Sequence, residues 1–391
     1  MCRGAGVSPG AGACLYCGRI RLSGARGAAL SARVINGLPH SFPPDAVERQ
    51  IADVDDARAL IAERRPDVPA LLKRRRTIYH DFYGDQSQAY LERAESAVLL
   101  SLARFGVRHG SFGHDFHAYH NEDHALEILD RRLGRVLRQI GVQALPGRDW
   151  LALSLFATCH DLRQRETVEF THSIGNNEAA SIAETHRILE IAGFNAKEDR
   201  ELFVTLEVMI AGSTFDARPS APNPYNTAEV VATGGPLAPV LAKQLDEEQP
   251  AWRNDPMMVR AIELALIASD LDTANVGERF TDLANSAARL AAEREMRSGR
   301  ALGDASSGPP VLSFLTSGQE RYFFDLHRFC SDLGRQVFAD AKNANASRVR
   351  ALAAALKERY GGQPADSYTG AEVLSTHLAL AESLAGGAAG R

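Results

Sequence analysis

The chain has 391 residues, 45% of them hydrophobic and 24% charged, enough apolar material to bury a substantial core in one large domain or two modest ones. A formal charge of -5 leaves no basic surplus, which argues against a nucleic-acid scaffold working by counterion release. An anionic substrate would need a local positive source, such as a metal. No apolar run reaches the roughly 18 residues of a membrane span, and the five cysteines, Cys2, Cys14, Cys17, Cys159 and Cys330, are too scattered for a disulfide framework. A cytoplasmic protein without a membrane partner is the expectation.

Residues 1–45 read as a disordered or targeting-like tail, rich in Gly, Ala, Ser and Arg, with no acidic residue before Asp45. Cys14 and Cys17 form a C-x-x-C, but no second pair follows at zinc-ribbon spacing. Beyond the tail the pattern is helix after helix, with no two-residue alternation. A polar helix is predicted over 46–64, the basic "KRRR" at 73–76 reads as a solvated face, and 86–105 is amphipathic. Between Asn121 and Ile140, Leu126, Leu129, Leu133, Val136 and Ile140 recur near the 3.6-residue period, giving one buried face. "WLALSLFATCH" (150–160) is apolar nearly all round and so should be enclosed by other helices. Helices over 177–192 and 197–211 follow.

From 216 to 256 the chain is rich in Pro, Gly, Asn and acidic residues, which predicts a long loop insertion. Both of its neighbours lead toward the polar cluster described next, so it could act as a lid, with Trp252 and Tyr225 as flat surfaces for a base. Helices resume over 257–270 and 277–296, break at 298–313, and return over 318–341, 347–360 and 371–384. The expected architecture is all-α: one compact multi-helix bundle over 46–391 with long loop insertions.

The stretch "HAYHNEDHALEILD" (117–130) gathers three histidines and an asparagine just where a helix begins. The apolar helix at Trp150 ends in His160 and Asp161, and the apolar run "VRAIELALIASDLD" ends in Asp270 and Asp272. Carboxylates at the ends of buried helices are costly unless paired or coordinated. A divalent cation shared among His124, His160, Asp161 and Asp270 would satisfy all of them, and this mixed donor set suits Mn, Fe, Zn or Mg with open positions for water.

The order His124, His160-Asp161, Asp270 resembles the HD-domain metal-dependent phosphohydrolases. Within them, "YHNEDHALEIL" from Tyr119 is similar to the YHNxxHAxxV signature of the cyclic-nucleotide phosphodiesterases. "SIAETH", "TLEVMIAGS" and "ASDLDTAN" are similar to later phosphodiesterase segments, while "NNEAASIA" resembles a segment of small bacterial HD phosphohydrolases. The likeness spans residues 119–280.

The resemblance implies an HD-type fold and one or two divalent metals held by His124, His160, Asp161 and Asp270, with Asp161 bridging to the second. It implies His120 as general acid, Asn121 as the residue orienting that segment, and either Glu184 or Glu178 as the acid bonding metal-held water. The activity implied is hydrolysis of a small nucleotide-like phosphoester, a 3',5'-cyclic nucleotide included, by metal-activated hydroxide. The contrasting reading is a catalytically silent HD module that binds a ligand or regulates a partner. Two departures stand out. "HDLRQRE" places Gln164 where the phosphodiesterases have a second histidine, for which His172 could substitute, and the signature carrying their purine-clamping glutamine is absent. Arg163 and Arg165, after the metal pair, could bind a substrate phosphate.

Overall fold

Asp45 accepts the amide of Glu48 and opens α1 (Ala46–Gln50). Asp53, in extended backbone, accepts the amides of Asp55 and Asp56 and opens α2 (Val54–Arg64). The single helix expected over 46–64 is therefore two, because an aspartate that caps a new helix cannot lie inside the old one. The computed structural model describes residues 42–84, 87–141, 145–164, 175–216 and 235–386. Most of the tail with Cys2, Cys14 and Cys17, and also Arg165, His172 and Tyr225, lie outside the described residues.

Helix α3 (Asp67–Tyr83) carries the basic run, and one of its members is not solvated. Arg75 is buried, its guanidinium 4.0 Å above the Trp150 ring, and it donates to the Leu129 carbonyl (2.7 Å) and to Ser154 Oγ (2.5 Å). Helix α4 is Gln88–Arg108. Helix α5 runs through Glu122–Leu126, widens to a π turn over Glu127–Arg132 and continues over Leu133–Ile140. Helix α6 (Gly147–Cys159) is buried at every position from Trp150 to Cys159, as its all-round apolar pattern requires.

The rest of the core comes from α7 (Asn176–Ile191), α8 (Arg200–Ser213) and α10 (Pro256–Thr273), with α8 and α10 in the most extensive helix pairing. Gly212 lets them close up: a Cβ there would meet the Cβ atoms of Ala238 and Ala265 at 3.1 and 3.4 Å.

Within the 216–256 stretch, the described residues 235–256 are less of a loop than their composition suggests. Phe215–Asp216 pairs antiparallel with Gly235–Pro236, the sole strand pair among the described residues, and α9 (Ala238–Glu248) buries Leu241 and Leu245. Trp252 is 3% exposed and donates its Nε1 proton to Asp246, so it packs into the fold and offers no free face to a base.

Helix α11 (Phe280–Arg297) is followed by α12 (Gly308–Ser313), which continues through helical turns to Leu326. His327 is extended (φ -76°, ψ 124°), and Ser331 caps α13 (Asp332–Tyr360). The break expected near 341–347 is absent: Asn345 is buried, giving its amide protons to the carbonyls of Val276 and Glu278. Helix α14 (Gly370–Gly386) packs on α11. The fold is all-α, and no helix among the described residues is long and apolar enough to cross a membrane.

Candidate active site

Three helix ends meet beside a cleft. Asn121 accepts the amides of Asp123 and His124 (3.0 and 3.4 Å) and donates to the His117 carbonyl (2.7 Å), so it caps α5 and sets the direction of His120 and His124. His160 and Asp161 come off the end of α6, and Asp272 lies in the last turn of α10. His124 Nε2 is 3.1 Å from Asp272 Oδ1 and 3.7 Å from Asp161 Oδ2. His160 Nε2 is 3.1 Å from Asp161 Oδ2 and 3.4 Å from Asp272 Oδ1.

The tautomer of His160 makes this cluster informative. Its Nδ1 lies 3.1 Å from the Phe156 carbonyl, so Nδ1 holds the proton of the neutral ring and the Nε2 lone pair faces two carboxylates. That contact is repulsive until a proton or a cation sits between them. Burial opposes charge on His160, but Asp161 and Asp272 outweigh it and raise the imidazole well above its usual pKa. Burial likewise opposes ionisation of Asp272, yet the two histidines hold it well below the usual carboxylate range. A divalent cation would replace those protons, and a ligating histidine whose other nitrogen bonds a backbone carbonyl is the usual supporting arrangement. Gln164 donates its Nε2 proton to Asp161 Oδ1 (2.8 Å), leaving Oδ2 to the cluster. The residue that departs from the phosphodiesterase pattern thus orients Asp161.

Asp270 does not join the cluster. It accepts the amides of Cys330 (2.6 Å) and Ser331 (2.8 Å) and the Ser331 hydroxyl (2.6 Å), anchoring the start of α13. Positions two apart on a helix point about 200° away from each other, so Asp270 and Asp272 cannot both face the histidines. Glu184 is also elsewhere, fully buried with Arg108 at 3.0 Å and Arg104 at 3.7 Å. Glu178 does feel the site: burial, and then Asp161, push its pKa up to about 7. Arg163 lies 3.5 Å from Glu48 and 3.9 Å from Glu184, and so belongs to that buried ion network. His186 pairs with Glu207 at 2.9 Å.

His120 has a partner that its sequence neighbourhood does not reveal. Its Nδ1 is 2.6 Å from Oε1 of Glu293 on α11, whose Oε2 accepts the amides of Tyr119 and His120 at 2.9 Å each. Burial works against charge on His120, but Glu293 and Asp161 raise its pKa to about 9, and Glu293 itself is held far below the usual carboxylate range. In the sequence Glu293 sits in "AAEREMR", whose alternating charges read as a solvated face. His120 and Asp272 open onto a cleft of about 730 Å³ whose other walls include Phe215, Phe314, Gln319 and Tyr322. No protein-family model matches the chain, and no curated protein matches it significantly.

Proposed function

We propose that this chain is a metal-dependent phosphohydrolase that cleaves a phosphoester of a nucleotide-like molecule in the cleft beside His124, His160, Asp161 and Asp272. The observation that carries the reading is the His160 lone pair, aimed at two carboxylates with its other nitrogen committed to Phe156. These residues would hold a divalent cation of the Mn, Fe, Zn or Mg type, which when bound lowers the pKa of water and polarises a phosphoryl oxygen.

The remaining chemistry belongs to the chain. His120, kept protonated by Glu293, stands in the cleft wall and gives its Nε2 proton to the departing oxygen, while Glu293 holds Nδ1 and steadies the ring. Glu178, its carboxyl pushed up to about 7 by burial and then by Asp161, is available to take up or release a proton near neutrality. Phe215, Phe314 and Tyr322 present flat walls to a base, and Gln319 and Asn275 offer amides to its edge.

Metal analysis of the purified protein, followed by a hydrolysis screen over linear and cyclic nucleotides, tests this. Metal-dependent turnover is expected, and His120→Ala should retain metal but lose about 10²- to 10⁴-fold in rate. An ester with a very acidic leaving group should recover most of that loss. A metal-loaded protein inert toward every phosphoester would overturn the reading.

A further inference from the structure

Beside the His124/His160 cluster, sharing Oε1 of Glu293 with His120, lies a second set of metal-type donors. Asp115 Oδ2 is 3.4 Å from His109 Nδ1 and 3.3 Å from His117 Nε2, and the three atoms all fall within 4.8 Å of one another. We propose that His109, Asp115 and His117 form a second metal site, selective for a zinc-type cation. The site stands independently of the phosphohydrolase reading.

A tetrahedral ion with bonds of about 2.0–2.1 Å places neighbouring ligand atoms roughly 3.3–3.4 Å apart, which is the spacing Asp115 makes with each histidine. His109 is 1% exposed and His117 0%, and neither His109 Nδ1 nor His117 Nε2 has a hydrogen-bond partner among the described residues. Buried polar nitrogens in that state call for a partner, such as a water or an ion. The His117 amide donates to the His109 carbonyl at 2.8 Å, fixing the two rings in register. His117 Nδ1 faces Glu293 Oε1 at 3.3 Å, giving a ligating imidazole its carboxylate support.

The set is three donors, with a fourth position open toward a separate cavity of about 460 Å³ lined by His109, Asp115, Phe112 and His114. One contact must give way. The backbone N–H of Gln164 donates to His109 Nε2 (3.3 Å), and with Nδ1 on the ion that nitrogen carries the ring proton instead. Loading therefore releases the Gln164 amide. Because Glu293 touches both His117 and His120, an ion here also bears on the residue that donates the proton.

Cobalt titration of the metal-free full chain tests the site, since tetrahedral Co²⁺ absorbs strongly in the visible and a thiolate ligand adds a near-ultraviolet charge-transfer band. The Asp272→Asn chain should still bind about one zinc ion, and adding Asp115→Asn should remove it. Asp115→Cys in the Asp272→Asn background should gain the charge-transfer band. Asp115 has a side chain 41% exposed, so neither change disturbs the core. Undiminished zinc binding in Asp272→Asn/Asp115→Asn, or cobalt binding by Asp272→Asn/Asp115→Cys without the band, would overturn the proposal. A native chain that binds zinc at this site yet hydrolyses no phosphoester with any added metal would count against the phosphohydrolase reading and leave this site standing.

Discussion

Asp270 and Asp272 share a helix turn but face different neighbours. Asp272 Oδ1 contacts both His124 and His160, whereas the Asp270 carboxylate takes three donors from Cys330 and Ser331. Gly334 lies so close to it that a Cβ there would come within 2.1 Å of Asp270 Oδ2. Asp272→Asn should weaken metal binding at the His124/His160 cluster by more than about 100-fold, beyond what losing a mere supporting residue does, and abolish turnover. Asp270→Asn turns an amide NH₂ toward donors and should lower stability by about 1–3 kcal/mol while leaving that affinity unchanged. Metal titration and denaturant unfolding of the two variants separate these outcomes, and the reverse pattern would reassign the ligand.

Among the helices, the short α1 has an influence out of proportion to its length. Asp45 caps it and also accepts Arg108 Nε (2.7 Å) and Nη2 (3.1 Å), while Arg108 reaches on to the Leu162 carbonyl (2.8 Å) and to Glu184. That network ties α1, α4 and α7 to the segment directly after His160 and Asp161. Burial alone would raise the Asp45 pKa, but Arg108 brings it down to about 2. A carboxyl whose folded pKa is depressed stabilises above its unfolded value and loses that contribution as pH falls through the folded one. Asp45→Asn keeps a capping oxygen yet removes the charge, so it should destabilise the protein by about 1–2 kcal/mol at pH 7. The difference from the native chain should shrink between pH 4 and pH 2. A variant deficit that persists at pH 2 would show that the ion pair is not its origin.

For the molecule as a whole, the cluster of His124, His160, Asp161 and Asp272 is a point of like-polarity contact that a bound cation would relieve. Two carboxylates and two imidazoles brought together by three helix ends repel unless protons or a cation intervene. An ion that binds only the folded chain adds about 2.7 kcal/mol at a hundredfold excess over its dissociation constant. Thermal unfolding with Mn²⁺ should therefore shift upward by a few degrees, reverse with chelator, and fail to shift in Asp272→Asn. An equal shift in that variant would place the ion elsewhere.

Local information sufficed for the helical class and for bringing part of the candidate metal cluster to notice. Apolar residues recurring at the 3.6-residue period mark α5, and the all-round apolar run marks α6, since an amphipathic or enclosed helix writes its burial into its own sequence. His124, His160 and Asp161 were legible because each sits at the end of such a helix, where a polar group has no local reason to be. Tertiary structure decided the rest. Which of Asp270 and Asp272 faces the histidines depends on the rotation of α10 against its neighbours. Glu293 meets His120 from 173 residues away, Glu184 turns into an arginine cluster, and Trp252 packs inward. Each of these depends on which surface folds onto which, a property of the packed helices that no stretch of sequence carries alone.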